Sequence, residues 1–360
     1  MVIKTFHNYL IRLFLKKLVI SSLVFLSLIF ILSVFEEISF FKNSNINFFL
    51  PYLITFLNSP STLFEIFPFI FLISTQFFFL TLIQKGELEV LKINGLTNIK
   101  IIKILTVTSF ILGLLIISFY YTFSSKLKFL YLELKNSYSS DDKYLAVVTE
   151  NGLWIKDEID QRIYIISAQK IEENYLKEVS ITEFDEQFDL IQTFLSDKVD
   201  ISKMEWIIYK PTLSKNNENN KLEKNIKIKT HFNLKKINGL FRNLSSLNII
   251  QLINQKNDYK SLGYSTNEIQ SHLYKIYLFP IFLSIMTVLS SIIMINTNRN
   301  KTITYHIILG IFLSVLIYYL YYLFNLLGQN GKIPILLSAW FPLFILSTLI
   351  IAGLIRINEK

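Results

Sequence analysis

The chain has 360 residues, of which 52% are hydrophobic, and carries a formal net charge of +9 at pH 7. Such an apolar composition excludes an ordinary soluble domain, which needs a polar surface. The sequence contains no cysteine, which excludes disulfides and thiolate metal sites, and its four histidines form no metal-binding motif.

Six long apolar stretches predict membrane-spanning helices, because each is near the roughly 20 residues that such a helix needs. The first follows a basic cluster, and no small-residue cleavage site comes after it, so we interpret it as a membrane helix rather than a signal peptide. The predicted spans are residues 16–38, 63–84, 100–124, 272–296, 303–326 and 334–355.

The distribution of basic residues predicts the orientation of these helices. Lysine and arginine are concentrated before the first span, between the second and third, between the fourth and fifth, and after the sixth. The short opposite loops hold only Lys42 and Lys332. The positive-inside rule therefore places both termini in the cytoplasm, and it explains the basicity without nucleic acid. Tyr120 and Tyr121 are predicted to anchor the outer interface.

Residues 86–95, between the second and third spans, predict a short helix on the cytoplasmic side. Glu87 and Glu89 favour its positive end, Gly95 suits a left-handed C-cap, and Thr97 can cap the next span. A short amphipathic helix at this position can dock into a groove on a soluble partner. The alternative is that it only connects two spans.

The long segment 125–271 predicts a β-rich domain outside the membrane. Apolar and polar residues alternate at 226–232 and 204–208, which is typical of half-buried strands. Asn151-Gly152 is a hairpin signal, and residues 214–225 read as an exposed loop. Residues 245–260 predict an amphipathic helix with Leu247, Ile250 and Ile253 on one face.

Motifs of enzymatic chemistry are missing from the sequence. It has no GxxxxGK[ST] phosphate-binding loop and no GxSxG nucleophile motif. We therefore predict a non-catalytic protein without a cofactor or metal ion of its own, so the energy for any transport must come from another chain.

The segment 86–97 resembles the cytoplasmic coupling helix of the LptF/LptG permease family. Asn-Ser-Pro at 58–60 and Ile-Phe-Pro at 66–68 are similar to family positions, and Gly-Leu-Trp-Ile-Lys-Asp at 152–157 is similar to a strand associated with LptG. The layout of three spans, a β-domain and three spans also matches. The resemblance implies transmembrane helices 1–3 in residues 1–124, a periplasmic β-jelly roll in 125–271, and helices 4–6 in 272–360.

This resemblance implies an LptG-like permease subunit of an ABC transporter in the bacterial inner membrane. The family extracts lipopolysaccharide from that membrane and passes it to a periplasmic bridge. The implied partners are the paralogous permease LptF, a dimer of the ATPase LptB that binds ATP, and LptC and LptA through the jelly roll. The alternatives are a membrane enzyme that modifies envelope lipids and a permease of another ABC lipid or lipoprotein exporter.

The resemblance also assigns candidate site residues. Glu87 and its helix would contact the ATPase, with Leu88, Leu91 and Gly95 as further coupling residues. Helices one and five would line the lipid cavity, where the candidate contacts are Phe35, Lys42, Tyr318 and Tyr321. The sequence departs from its relatives at the outer end of helix one, where Glu36 and Glu37 stand in place of a basic cluster. We interpret both as interfacial carboxylates.

Overall fold

The structure is a computed structural model in which the chain divides into two compact units. One unit comprises Met1–Tyr131, Leu244–Leu252 and Asn267–Lys360, and the other comprises Leu132–Asn243 and Ile253–Thr266. The residues that the structure describes are 2–42, 47–138, 153–159, 161–172, 174–215, 218–234, 237, 243–261, 264–295 and 303–358.

The first unit is helical. Six helical segments are long and apolar enough to cross a membrane, which confirms the six predicted spans. The described α-helices of the chain are α1 (Val2–Phe40), α2 (Leu50–Gln84), α3 (Glu87–Ile93), α4 (Asn98–Leu115), α5 (Thr122–Ser137), α6 (Ile249–Ser261), α7 (Asn267–Ile295), α8 (Ile303–Gln329) and α9 (Ile335–Asn358). Residues 132–137 of α5 and 253–261 of α6 belong to the second unit. A π-helical segment, Ile116–Tyr121, joins α4 to α5, so the third span runs without a break from Asn98 to Lys135.

The second span begins earlier than predicted. The span was predicted at residues 63–84, but α2 begins at Leu50 and runs through Pro60 and Pro68. Proline is tolerated inside membrane helices because neighbouring groups can satisfy the freed backbone carbonyls.

Two helices form the centre of the bundle. Of the residues in the most apolar stretch of each helix, 72% are buried inside the protein in α7 and 67% in α2. The corresponding share is only 17% in α1 and 17% in α8. Small residues allow α4 and α7 to approach closely, as Gly113 lies against Pro280 and the hydroxyl groups of Ser109 and Thr287 are 2.8 Å apart. Such contacts drive association in lipid, where burial of apolar surface contributes little.

The second unit contains an antiparallel sheet of eight described strands, with β1, β2, β3, β4, β5 and β8 in that spatial order. β6 pairs with β4, and β7 pairs with β6. The strands are β1 (Leu153–Ile159), β2 (Arg162–Glu172), β3 (Tyr175–Phe184), β4 (Leu190–Asp200), β5 (Glu205–Ile208), β6 (Thr212–Lys215), β7 (Glu218–Lys221) and β8 (Ile226–Lys229). The fold class, a six-helix membrane bundle with an inserted all-β domain, is confirmed. The jelly-roll topology stays a prediction.

Two local predictions for the inserted segment need correction. Residues 214–225 are not a loop throughout, because Thr212–Lys215 and Glu218–Lys221 pair as a hairpin. The helix predicted at 245–260 forms as Ile249–Ser261, but its buried apolar residue is Leu252, while Ile250 and Ile253 are exposed. Leu247 precedes the helix, so it does not share the helical period with the other two. The hairpin predicted at Asn151-Gly152 lies outside the described residues.

Trp206 is the largest side chain of the β-domain core. It is fully buried, and its Nε1 donates a hydrogen bond to the carbonyl of Phe232 at 2.9 Å. We expect Trp206→Ala to destabilise this domain by about 3–5 kcal/mol, because it leaves a cavity and an unpaired carbonyl. Hydrogen exchange of β5 and β8 in the full-length protein measures the effect. The control is Trp154→Ala, which removes an exposed indole from the same sheet. Equal rates of hydrogen exchange in β5 and β8 of the two variants would contradict the prediction.

Candidate coupling site and lipid-facing helices

The short helix α3 is held at both ends by glycine. Gly86 and Gly95 have φ values of 68° and 83°, which other residues adopt only with strain, and Glu87 and Glu89 lie in the first turn. Thr97 then caps α4, since its Oγ1 accepts a hydrogen bond from the backbone amide of Lys100 at 3.3 Å. The helix predicted at 86–95, with its left-handed glycine and the threonine cap, is confirmed.

The two sides of α3 differ in a way that the sequence analysis did not predict. Leu88 and Leu91 are buried within this chain, whereas Val90 is 55% exposed and Ile93 is 85% exposed. Leu88 and Leu91 therefore attach α3 to the bundle and are not available to a partner in this conformation. The candidate contact surface moves to Val90 and Ile93, which we call the exposed face of α3.

Glu87 has a partner inside the chain. Its Oε2 accepts a hydrogen bond of 2.5 Å from the hydroxyl of Tyr9 on α1, and its Oε1 lies 3.7 Å from Lys85 Nζ. Tyr9 was not predicted as the partner of Glu87, because a pairing between residues 78 positions apart leaves no periodic signal in the sequence. The carboxylate thus joins the beginning of α3 to the beginning of α1.

At the opposite end of the bundle, the two adjacent carboxylates of α1 have different surroundings. Glu36 is exposed, but Glu37 is 2% exposed, and its Oε1 accepts a hydrogen bond from the hydroxyl of Tyr131 at 3.0 Å. Consecutive helical residues point in different directions. The interpretation of both as interfacial carboxylates is therefore wrong for Glu37. Among the described residues, no group of acidic or histidine side chains could hold a metal ion.

The basic residues near that end also differ in their contacts. Lys42 and Lys126 are exposed, whereas Lys128 donates to Asn58 Oδ1 at 2.6 Å and lies over the ring of Tyr131, 4.5 Å from its centroid. Lys42 and Lys126 thus remain accessible to an anionic group, whereas Lys128 connects α5 to α2.

The two tyrosines of the third span that were predicted to anchor the outer interface both make hydrogen bonds within the chain. Tyr121 is buried, and its hydroxyl contacts the carbonyl of Leu247 at 2.9 Å and His272 Nε2 at 3.2 Å. The hydroxyl of Tyr120 donates to the carbonyl of Pro60 at 3.0 Å. Both therefore pack within the helical unit, and the interfacial prediction is wrong for Tyr121.

The remaining candidate lipid contacts lie on the two least covered spans. Phe35 on α1 and Tyr318 on α8 are exposed, together with a row of aliphatic residues on each helix. Tyr321 is only partly exposed, and its ring stacks on Phe282 with a centroid distance of 5.1 Å. Phe35, Lys42 and Tyr318 are thus accessible, whereas Tyr321 belongs partly to the α7–α8 packing.

Two buried carboxylates in the β-domain have donors around them. Glu183 accepts hydrogen bonds from Arg162, from Tyr164 at 3.2 Å and from Gln192 at 2.6 Å. Burial, and then the charge of Glu183, raises the pKa of Tyr164. Asp157 accepts from the backbone amide of His231 at 3.0 Å and contacts its ring at 2.8 Å. These contacts join neighbouring segments of the domain.

The family comparison agrees with this arrangement of helices and sheet. The model of the family described as "Lipopolysaccharide export system permease LptF/LptG" matches residues 8–356. No curated protein sequence matches the chain significantly. The match covers all six membrane-spanning helices and the inserted β-domain. The chain therefore belongs to the LptF/LptG family of lipopolysaccharide export permeases.

Proposed function

We propose that this chain is the LptG-like permease subunit of an ABC transporter that extracts lipopolysaccharide from the bacterial inner membrane. The observation that carries the proposal is the exposed face of α3. Two apolar side chains, Val90 and Ile93, project from a helix that Gly86 and Gly95 delimit and that Leu88 and Leu91 fix to the bundle. Such a rigid, apolar projection suits a groove on a soluble partner.

The proposed partner at α3 is a dimer of the ATPase LptB. The described residues contain no phosphate-binding loop, so ATP would be bound and hydrolysed on that separate chain. The basic segments around α3 support a cytoplasmic position for it, with both termini on the same side and the β-domain in the periplasm. ATP-driven closure of the dimer would then move α3 and shift the equilibrium between an open and a collapsed cavity.

The proposed lipid path lies along α1 and α8. Only 17% of the apolar stretch of each is buried within this chain, so both have large apolar surfaces for acyl chains or for the paralogous permease LptF. Phe35 and Tyr318 would contact acyl chains, and Lys42 would meet a phosphate of the headgroup. The exposed Glu36 would oppose such a phosphate, so binding would depend on Lys42 more than in relatives with a basic cluster.

The β-domain would receive the lipid. Its sheet begins at β1, whose outer edge pairs with no described strand. An edge strand of this kind can extend by pairing with a strand of another chain, here LptC and then LptA.

A pull-down in nanodiscs tests the whole proposal. With an affinity tag after Lys360, we expect mass spectrometry to detect an ATPase, a second six-span permease and lipopolysaccharide. Recovery of the chain without an ATPase in nanodiscs and in several mild detergents would contradict the proposal, and would favour a membrane enzyme that modifies envelope lipids. Recovery of an ATPase with lipoproteins in place of lipopolysaccharide would favour a different exporter.

A further inference from the structure

The helix α3 is attached to the bundle by two kinds of contact. Leu88 and Leu91 are buried on one side, where α3 contacts α2. At its first residue, Glu87 accepts the hydrogen bond from Tyr9. The apolar contacts can slide, since dispersion is not directional, but a hydrogen bond to a carboxylate fixes both distance and angle. The Tyr9–Glu87 bond is thus the specific attachment of α3 to α1.

The residues that follow Tyr9 are firmly packed. Leu10 and Phe14 are fully buried, and Phe14 meets Phe71 and Phe78 of α2 edge-on, with both centroid distances 6.2 Å. This aromatic cluster gives α1 a pivot near its beginning. Tyr9 lies just before the pivot, on the side of α3.

Beyond the pivot, the neighbouring helices cover α1 poorly. Only 17% of its apolar stretch is buried, although the helix is 39 residues long, which corresponds to about 58 Å at the usual rise per residue. A long helix that is pivoted near one end converts a small displacement of that end into a larger one at the other. The far part of α1 carries Phe35 and Glu36, both exposed, and also Glu37, which is buried beside Tyr131 and would have to move together with it.

We propose that Tyr9 is a positioning residue, whose hydroxyl transmits movement of α3 to α1 through its hydrogen bond to Glu87. The inference rests on the proposed function, since it requires a partner that displaces α3. When α3 moves, the bond to Glu87 carries the beginning of α1 with it, and the uncovered part of α1 tilts about the Phe14 pivot. Without the hydroxyl, α3 still docks through its exposed face, but its movement reaches α1 only through the apolar packing.

The test uses the complete transporter in proteoliposomes and compares Tyr9→Phe with the wild type. Three quantities are measured: the ATPase recovered with the chain, the rate of ATP hydrolysis, and the lipopolysaccharide released per ATP hydrolysed. We expect normal ATPase recovery and continued hydrolysis, with about a fivefold or greater loss of lipid released per ATP, which is the scale of one ordinary hydrogen bond.

Two further variants separate the hydrogen bond from other effects. Glu87→Gln keeps an acceptor oxygen for Tyr9 but removes the charge. Because Glu87 also lies on the docking helix, Tyr9→Phe is compared within the Glu87→Gln background, where it should again lower the lipid released per ATP. Tyr277→Phe removes a hydroxyl from an exposed tyrosine of α7 and should change none of the three quantities. This pattern would support transmission through the bond and not through charge or a general loss of tyrosine.

Two results would overturn the inference. Lipid released per ATP that is unchanged in Tyr9→Phe would show that the bond transmits nothing. Loss of the ATPase from Tyr9→Phe would show that the hydroxyl only orients the docking surface. A wild-type chain that recovers no ATPase would refute the proposed function itself, which is a separate outcome because it does not depend on the variant.

Discussion

Replacing Ile93 by aspartate is expected to release the ATPase from the transporter. Ile93 is 85% exposed at the end of α3, so the change costs the free chain little packing. In the proposed complex, the same side chain would be buried in a partner groove, where a carboxylate without a counter-charge is strongly unfavourable. A hot-spot residue at the centre of an interface contributes about 2 kcal/mol or more, so we expect about a 30-fold or greater weakening of ATPase binding.

A matched control separates docking from damage to the chain. Met204→Asp introduces the same charge at an exposed apolar residue of the β-domain and should leave ATPase recovery unchanged. The midpoint of thermal unfolding should be near the wild-type value for both variants. Undiminished recovery of the ATPase with Ile93→Asp would mean that α3 does not dock through its exposed face.

The second large effect is expected where α4 crosses α7. A Cβ atom added to Gly113 would lie 2.6 Å from Pro280 Cα and 2.9 Å from Pro280 Cβ, so the clash involves backbone and a rigid ring. Only a shift of one helix relieves it, and overpacking of this kind costs about 1–3 kcal/mol or more. Gly113→Ala should therefore lower the unfolding midpoint in detergent by about 5 °C, and Gly113→Val should prevent recovery of folded protein.

A glycine in another helix provides the comparison for Gly113. A Cβ atom on Gly353 would lie 2.9 Å from Ile292 Cγ2, a similar distance, but the obstacle is the movable end of a side chain. Gly353→Ala should therefore lower the unfolding midpoint much less than Gly113→Ala. If the two variants were equally destabilised, close packing of Gly113 against Pro280 would not be what makes glycine necessary there.

Much of the architecture follows from local sequence patterns. The six spans were predictable because a helix that crosses lipid needs an unbroken apolar run, whatever it packs against. The ends of α3 were predictable because Gly95 and Thr97 are chemically suited to helix caps. The strands at Trp206 and Ile226 follow from alternation, since one face of the sheet is buried and the other is wet.

The packing faces could not be predicted in the same way. Inside a membrane, the side of a helix that faces lipid is as apolar as the side that faces protein, so periodicity does not distinguish them. This is why Tyr121 was expected at an interface but is buried. Leu88 and Leu91 were assigned to a partner by the family resemblance, and only the tertiary structure shows that they are buried inside the chain.

The sequence by itself therefore determined the number of spans, the inserted β-domain and the position of α3, because each depends on residues that are close together in the chain. Only the tertiary structure decided that Val90 and Ile93 form the exposed face, that Glu37 is buried beside Tyr131, and that Glu87 accepts a hydrogen bond from Tyr9. Each of these depends on contacts between distant segments, and those contacts are set by helix packing that local hydrophobicity does not encode.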